Sequence, residues 1–250
     1  MFKQDQKIVA TIEARMTSSR LPGKVLMDLA GKPSLQQIVE RLKRSRYLDD
    51  VVVATTVNAT DDPIVELCRE IGCTYYRGSE EDVLLRVLKA AKSAKADIIV
   101  EITGDCPVID WRHVDYLIEM FYSGTYDYAA NIIERTFPRG FDTQVFPVAV
   151  LDRVNQLTDD QQDHEHVSLY IYHHPETFRL VNWTAPPDLH HPEMEITLDT
   201  LEDYRLIQAI YDELYPGNPD FSAGDVVGLL LRKPELLEII SNVRRKTPHQ

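Results

Sequence analysis

Along the first hundred residues, apolar positions fall into two alternating kinds of run. Lys7–Glu13 (KIVATIE), Asp50–Thr56 (DVVVATT) and Asp97–Ile102 (DIIVEI) are short, β-branched and almost continuously apolar, with Cys73–Arg77 a shorter run of the same type. Strands of that kind are buried on both faces rather than on one. Between them the apolar residues take helical spacing. Leu35, Ile38, Val39 and Leu42 mark a helix opened by Pro33 and running to about Arg46. Asp62-Pro63 starts a helix to about Ile71, and Ser79-Glu-Glu-Asp82 caps one that runs to about Ala94. The alternation predicts an α/β fold, a mostly parallel central sheet with helices on both faces. Ligands of such sheets sit beyond the carboxyl ends of the strands. The Arg15–Lys24 loop and the Thr103-Gly-Asp-Cys-Pro107 turn are both expected there.

The second half has a mixed pattern. Helices are predicted over 111–122, 147–157, 161–172 and 200–214, and a helical tail over 221–232 and 234–241. Strands are predicted over 126–131, 142–146, 178–184 and 195–198, with a Pro- and His-rich loop at 185–192. Neither an internal repeat nor an inter-domain linker breaks the chain. It reads as one domain over 1–250, with residues to about 110 forming one half and the rest an acceptor-binding half.

Charge sharpens this picture. The 250 residues carry a net charge of −13, yet residues 1–50 hold ten Lys/Arg against six Asp/Glu. An acidic chain is a poor general binder of nucleic acid, whereas a basic opening segment suggests a local anion site. Arg41, Lys43, Arg44 and Arg46 read as a solvated helix face. Arg15, Arg20 and Lys24 crowd instead into one loop with Thr17, Ser18, Ser19 and Gly23. Such a loop suits a triphosphate, although it lacks the Walker pattern and composition alone also allows an exposed basic loop. The apolar runs are too short to cross a bilayer, and the opening residues lack a signal segment, so the expected compartment is cytoplasmic. Cys68, Cys73 and Cys106 have neither zinc spacing nor an even count. Cys106 is expected to be a small buried residue, and His190-His191 an ordinary loop pair.

Ala14-Arg-Met-Thr-Ser-Ser-Arg-Leu-Pro-Gly-Lys24 closely resembles the opening signature of the CMP-sugar synthetases, cytidylyltransferases that activate acidic sugars. Leu29-Ala-Gly-Lys-Pro33 continues the likeness. Tyr76–Leu84, Ile102–Ile109, Phe137–Asp142, Glu165–Ser168 and Thr197–Asp203 resemble the spore-coat polysaccharide branch of that superfamily. The resemblance implies a glycosyltransferase-A-like nucleotidyltransferase fold and transfer of CMP from CTP, with Mg²⁺ as cofactor and, by analogy with the family, a homodimer. By it, Arg15, Arg20 and Lys24 grip phosphates, and Ala14, Ser18, Arg77, Gly78, Thr103 and Gly104 contact the nucleotide. It makes Asp105 and Asp199 the metal ligands, where the residues alone allow a turn aspartate and a helix cap. Arg139, Asp142, Glu165 and His166 become acceptor-site candidates. The acceptor is expected to be an anionic small molecule, first a nonulosonic acid and otherwise a phosphorylated one. A glycosyltransferase of the same fold type usually carries Asp-x-Asp, and this chain has no such triplet.

Overall fold

A computed structural model describes residues 5–243. The long apolar runs form β1 (Ile8–Glu13), β4 (Asp50–Thr56) and β6 (Ile98–Thr103). Between β1 and β4 lie a two-stranded ribbon, β2 (Asp28–Leu29) with β3 (Lys32–Pro33), and α1 (Ser34–Leu42). Helix α2 (Asp62–Glu70), strand β5 (Thr74–Gly78) and α3 (Val83–Ser93) then lead to β6. Pro33 closes the ribbon and caps α1 rather than lying inside it, and α1 stops at Leu42. Asp82 itself caps α3, accepting from the backbone N–H of Leu85, so Ser79, Glu80 and Glu81 precede the helix and the expected acidic first turn is not formed.

The later elements are α4 (Trp111–Tyr122), β7 (Tyr128–Ala130), β8 (Gln144–Pro147), α5 (Val148–Leu157), α6 (Gln161–Glu165), α7 (Leu169–His173), β9 (Leu180–Asn182), α8 (Leu201–Leu214), α9 (Ala223–Arg232) and α10 (Glu235–Glu238). One seven-stranded sheet runs β5-β4-β1-β6-β8-β7-β9. Its pairs are parallel except the two made by β8. The chain leaves β1 toward β4 and β5, then returns to β6 on the other side. The crevice between β1 and β6 is therefore the topological switch point, the place where such sheets bind ligands.

The pleat sends β1 side chains alternately to two cores. Ile8, Ala10 and Ile12 pack with α1, α2 and α4, while Val9 packs with α3, α5 and α7. A third apolar cluster gathers Phe137, Phe141, Ile196 and Leu198 under α8 and α9. Arg41 departs from the solvated reading. It is buried, its guanidinium donates to the carbonyls of Ile109 and Phe221 (both 2.6 Å), and it lies over the Phe221 ring.

Two expected elements take other forms. The helix predicted over 161–172 breaks into α6 and α7 at Val167, whose φ is +50°. A β-branched residue rarely adopts that conformation. Ser168 is thereby turned inward, where its hydroxyl meets Gln144. The strand predicted over 195–198 is an extended segment holding a single bridge, Arg139 to Glu195. Among the described residues, no helix is long and apolar enough to cross a membrane.

Candidate active site

A cleft of about 930 Å³ opens over the carboxyl ends of β1 and β6. The Ala14–Lys24 loop leaves β1 directly into it. Its ends are closed by Gly23 N–H donating to Met16 O (2.9 Å), with Gly23 in the left-handed region at φ +74°. Fully buried Asp61 holds the loop from below, accepting from Met16 N–H (2.7 Å) and from the Thr56 hydroxyl. Glu80 accepts from the Thr17 hydroxyl and pairs with Arg15 at 3.4 Å.

The β6 turn is drawn against β1. Gly104 N–H donates to Glu13 O at 3.0 Å, and a Cβ at position 104 would stand 2.3 Å from that same oxygen. Asp105 follows, held by the Thr103 hydroxyl (2.5 Å). Its carbonyl accepts from Leu198 N–H at 2.8 Å, which brings the Leu198–Asp199 segment alongside. Thr200, not Asp199, caps α8, in a capping box with Asp203. Asp203 also accepts from Asp199 N–H (3.1 Å), fixing the backbone that presents the Asp199 carboxylate.

The two aspartates meet on one cation. Lys24 Nζ donates to Asp199 Oδ1 (2.9 Å) and lies 3.9 Å from Asp105 Oδ2; Arg20 reaches the same Asp199 oxygen at 2.7 Å. A small hard cation fits the same place, because two carboxylates from different segments converge there and an ammonium already occupies the space between them. A divalent ion held so would complete its shell with phosphate oxygens and water. Among the described residues, no group of three or more His, Cys, Asp or Glu forms a closed metal cage.

On the far wall, Arg139 pairs with Glu195 (3.1 Å), and Arg135 grips Asp142 with both nitrogens (2.9 and 2.8 Å). Glu165 and His166 line the same wall at the end of α6. The cleft thus gathers Arg15, Ser18, Arg20 and Lys24 with Ala14, Thr103, Gly104 and Asp105. It also takes in Arg139, Asp142, Glu165, His166 and Asp199. Arg77 and Gly78 are not brought into its lining. The Arg77 guanidinium is engaged by Asp62 (2.7 Å) and by the carbonyls of Thr56 (2.8 Å) and Asn58 (2.7 Å), bracing the loop after β4. Cys106 is buried as expected, and His190-His191 follows a short turn, His191 pairing with Glu193.

Several lining residues were not anticipated. Arg135 and Glu195 have only their chemical type to mark them. Glu13 and Glu101 carried a signal, since each is a carboxylate in a strand that otherwise reads as buried. Burial pushes the Glu13 carboxyl up to about 7, against the opposing charge of Arg86. Glu101, 3% exposed, is driven well above the carboxylate range by burial and by Glu13 beside it.

A parallel-sheet nucleotidyltransferase fold, with a cationic loop and two converging aspartates at its switch point, defines a class of nucleotide-using transferases. The cytidylyltransferase family model matches residues 9–223, and the chain belongs to that family of CTP-dependent nucleotidyltransferases. The spore coat polysaccharide biosynthesis protein SpsF of Bacillus subtilis is 36% identical over 235 residues, covering 91% of this chain and 95% of that one. The 3-deoxy-manno-octulosonate cytidylyltransferase of Geobacter sulfurreducens is 40% identical over 113 residues, 44% of each chain. A cytidylyltransferase structure from Leptospira borgpetersenii superposes with a TM-score of 0.88 at 31% identity, covering 97% of this chain and 100% of that one.

Proposed function

We propose that this enzyme moves CMP from CTP to a hydroxyl of an acidic sugar, of the nonulosonic or sialic type, and releases pyrophosphate, as a cytoplasmic step in surface polysaccharide synthesis. The observation that carries the reading is the convergence of Lys24 and Arg20 with Asp105 and Asp199 at the β1–β6 crevice. The names of the spore-coat and octulosonate relatives support an acidic sugar as acceptor. A single domain is the simplest assignment, with residues to about 110 serving the nucleotide and the rest the acceptor.

In this reading Arg15, Arg20 and Lys24 hold the phosphates, with Ala14, Ser18, Thr103 and Gly104 against the nucleotide. Positioning and charge stabilisation supply most of the rate. Asp105 and Asp199 would hold Mg²⁺, which when bound offsets charge on the triphosphate and on departing pyrophosphate. Arg139 meets the anionic group of the acceptor, exchanging its Glu195 partner for it, and Asp142, Glu165 and His166 face the acceptor's polar groups.

The test is pyrophosphate release from CTP, UTP and ATP against 3-deoxy-manno-octulosonate, nonulosonic acids and phosphorylated small molecules. CTP with an acidic sugar should turn over fastest, and CTP with Mg²⁺ should raise the melting temperature. Saturation to a hundred times Kd contributes about 2.7 kcal/mol. Preference for UTP or ATP in both assays would overturn the cytidylyl assignment, and turnover only with phosphorylated acceptors would overturn the acidic sugar.

A further inference from the structure

We propose that Glu13 and Glu101 form a proton-sharing carboxyl pair in the cleft floor, in which Glu13 takes the proton from the acceptor hydroxyl and Glu101 positions Glu13. The proposal rests on the cytidylyl-transfer reading above. It starts from a topological fact. Thr11 pairs with Glu101 and Glu13 with Thr103 across β1 and β6, so both glutamates rise from one face of adjacent strands. Among the described residues, no N–H or hydroxyl reaches Glu13 Oε1 or Glu101 Oε2, and both atoms are buried. The two carboxyls are neighbours on that face, and each changes the other's hold on a proton. Carboxylates are acceptors only, so a hydrogen bond between them requires one proton. Burial of two like charges enforces the same state.

The charged and titratable groups facing the pair are Arg86 from α3, Asp105 beyond β6, Tyr128 from β7 and Tyr172 from α7. Gln144 of β8 and Ser168 complete the wall. Glu101 holds its proton more tightly than Glu13, since it is the more buried and lacks the direct influence of Arg86. It therefore donates to Glu13, which keeps its own carboxylate for the cleft that it lines. A carboxylate so held can act as a general base.

Position supplies the second argument. Glu13 ends the strand that becomes the phosphate loop, and Glu101 packs against Gln144 and Ser168, from the half that carries Glu165 and His166. The pair lies on the seam between the nucleotide and acceptor walls, and the reacting hydroxyl must cross that seam. In the step, the acceptor O–H proton passes to Glu13 as the acceptor oxygen bonds to the α-phosphorus. The bond from that phosphorus to the bridging oxygen breaks, and its electron pair leaves with pyrophosphate.

Glu13→Gln should lower kcat with CTP and 3-deoxy-manno-octulosonate or a nonulosonic acid by about a hundredfold or more, with little change in acceptor KM. Glu13→Asp, which keeps a carboxyl, should retain more activity and its acidic limb. Glu101→Leu removes the donor to Glu13, so the acidic limb of kcat should move to higher pH. Glu101→Gln still donates and should move it less. Near-normal kcat in Glu13→Gln, a loss expressed mainly in acceptor KM, or an unmoved limb in Glu101→Leu would overturn the assignment. Infrared difference spectra of the unliganded protein give a readout independent of turnover. A protonated carboxyl should persist near neutral pH and vanish in Glu13→Gln/Glu101→Gln; its absence from the unsubstituted protein would overturn the pair. If that protein neither turns over CTP with any acceptor nor gains stability from it, the cytidylyl reading fails, and the base role with it. A working enzyme with an indifferent Glu13 defeats the base role alone.

Discussion

At the residue scale, the chemistry of the cleft turns on which cation sits between Asp105 and Asp199. Lys24 fills that place at 2.9 Å from one carboxylate and 3.9 Å from the other. In the proposed reaction a triphosphate competes for the same ammonium, and Lys24 would turn from the aspartates to the phosphates. Lys24→Ala should therefore cost about ten- to a thousandfold in turnover, at roughly 1.4 kcal/mol per decade. Steady-state pyrophosphate release at saturating CTP measures it, and near-normal turnover would remove Lys24 from the mechanism. Asp199→Asn is a cleaner probe than its place before α8 suggests, because Thr200 provides the helix cap. The backbone N–H of Asp199 is held by Asp203 whatever the side chain. The melting temperature should stay put while turnover collapses. A variant that melts early instead would make Asp199 a structural residue.

At the element scale, three segments far apart in sequence are zipped by backbone contacts. Gly104 N–H to Glu13 O joins the β6 turn to β1, and Leu198 N–H to Asp105 O joins the approach to α8 onto that turn. Gly104→Ala places a methyl 2.3 Å from the Glu13 carbonyl, and backbone cannot yield as a side chain can. Strain of this kind costs about 1–3 kcal/mol or more. For a chain of this size that is roughly 2–12 °C in Tm. Because the same turn carries Asp105, kcat should fall further than the lost stability explains, measured well below Tm. The paired strands were legible because continuous β-branched runs admit few other readings, and the Arg15–Lys24 loop because its cations share a segment straight out of a strand with hydroxyls and Gly23, where no helix face accounts for them. The break at Val167 was not legible. Neither Gly nor Pro marks it, and what turns the chain is the burial of Ser168 against Gln144 and Tyr128, 24 and 40 residues away. Arg41 misled for the same reason: its helix face looks solvated until the carbonyls of Ile109 and Phe221 fold over it. The ion pairs Arg135–Asp142 and Arg139–Glu195 were half visible, one partner being implied by the family likeness and the other found only in three dimensions.

At the scale of the whole molecule, the sheet runs on from the parallel strands into β8, β7 and β9, and a seam between two apolar clusters lies at His113. This α4 residue is 6% exposed and sits edge-on to Phe137, Phe141 and Trp183, where the core under β1 meets the cluster under α8 and α9. Its Nδ1 is buried without a hydrogen-bond partner among the described residues. Burial pushes the imidazole down to about 4, despite the attraction of Asp110. In the unfolded chain it titrates near 6.5. The folded state therefore binds fewer protons between those values, and stability falls as pH drops through that window. The loss is complete near pH 4 and amounts to roughly 3 kcal/mol, at 1.36 kcal/mol per unit. Glu13 and Glu101 act in the opposite sense, since their raised values favour the folded state as pH falls. The net acid profile of the protein is thus a contest between the seam and the cleft floor. His113→Leu isolates one side of it, removing the titrating group and an unsatisfied buried nitrogen while keeping apolar contact with the three rings. Urea melts at pH 7.5, 6.5, 5.5 and 4.5 should give a stability difference between variant and parent that is small at the highest pH. That difference should grow in the variant's favour toward the lowest. A difference independent of pH would mean that His113 keeps an ordinary basicity, and that the seam takes no part in the acid response.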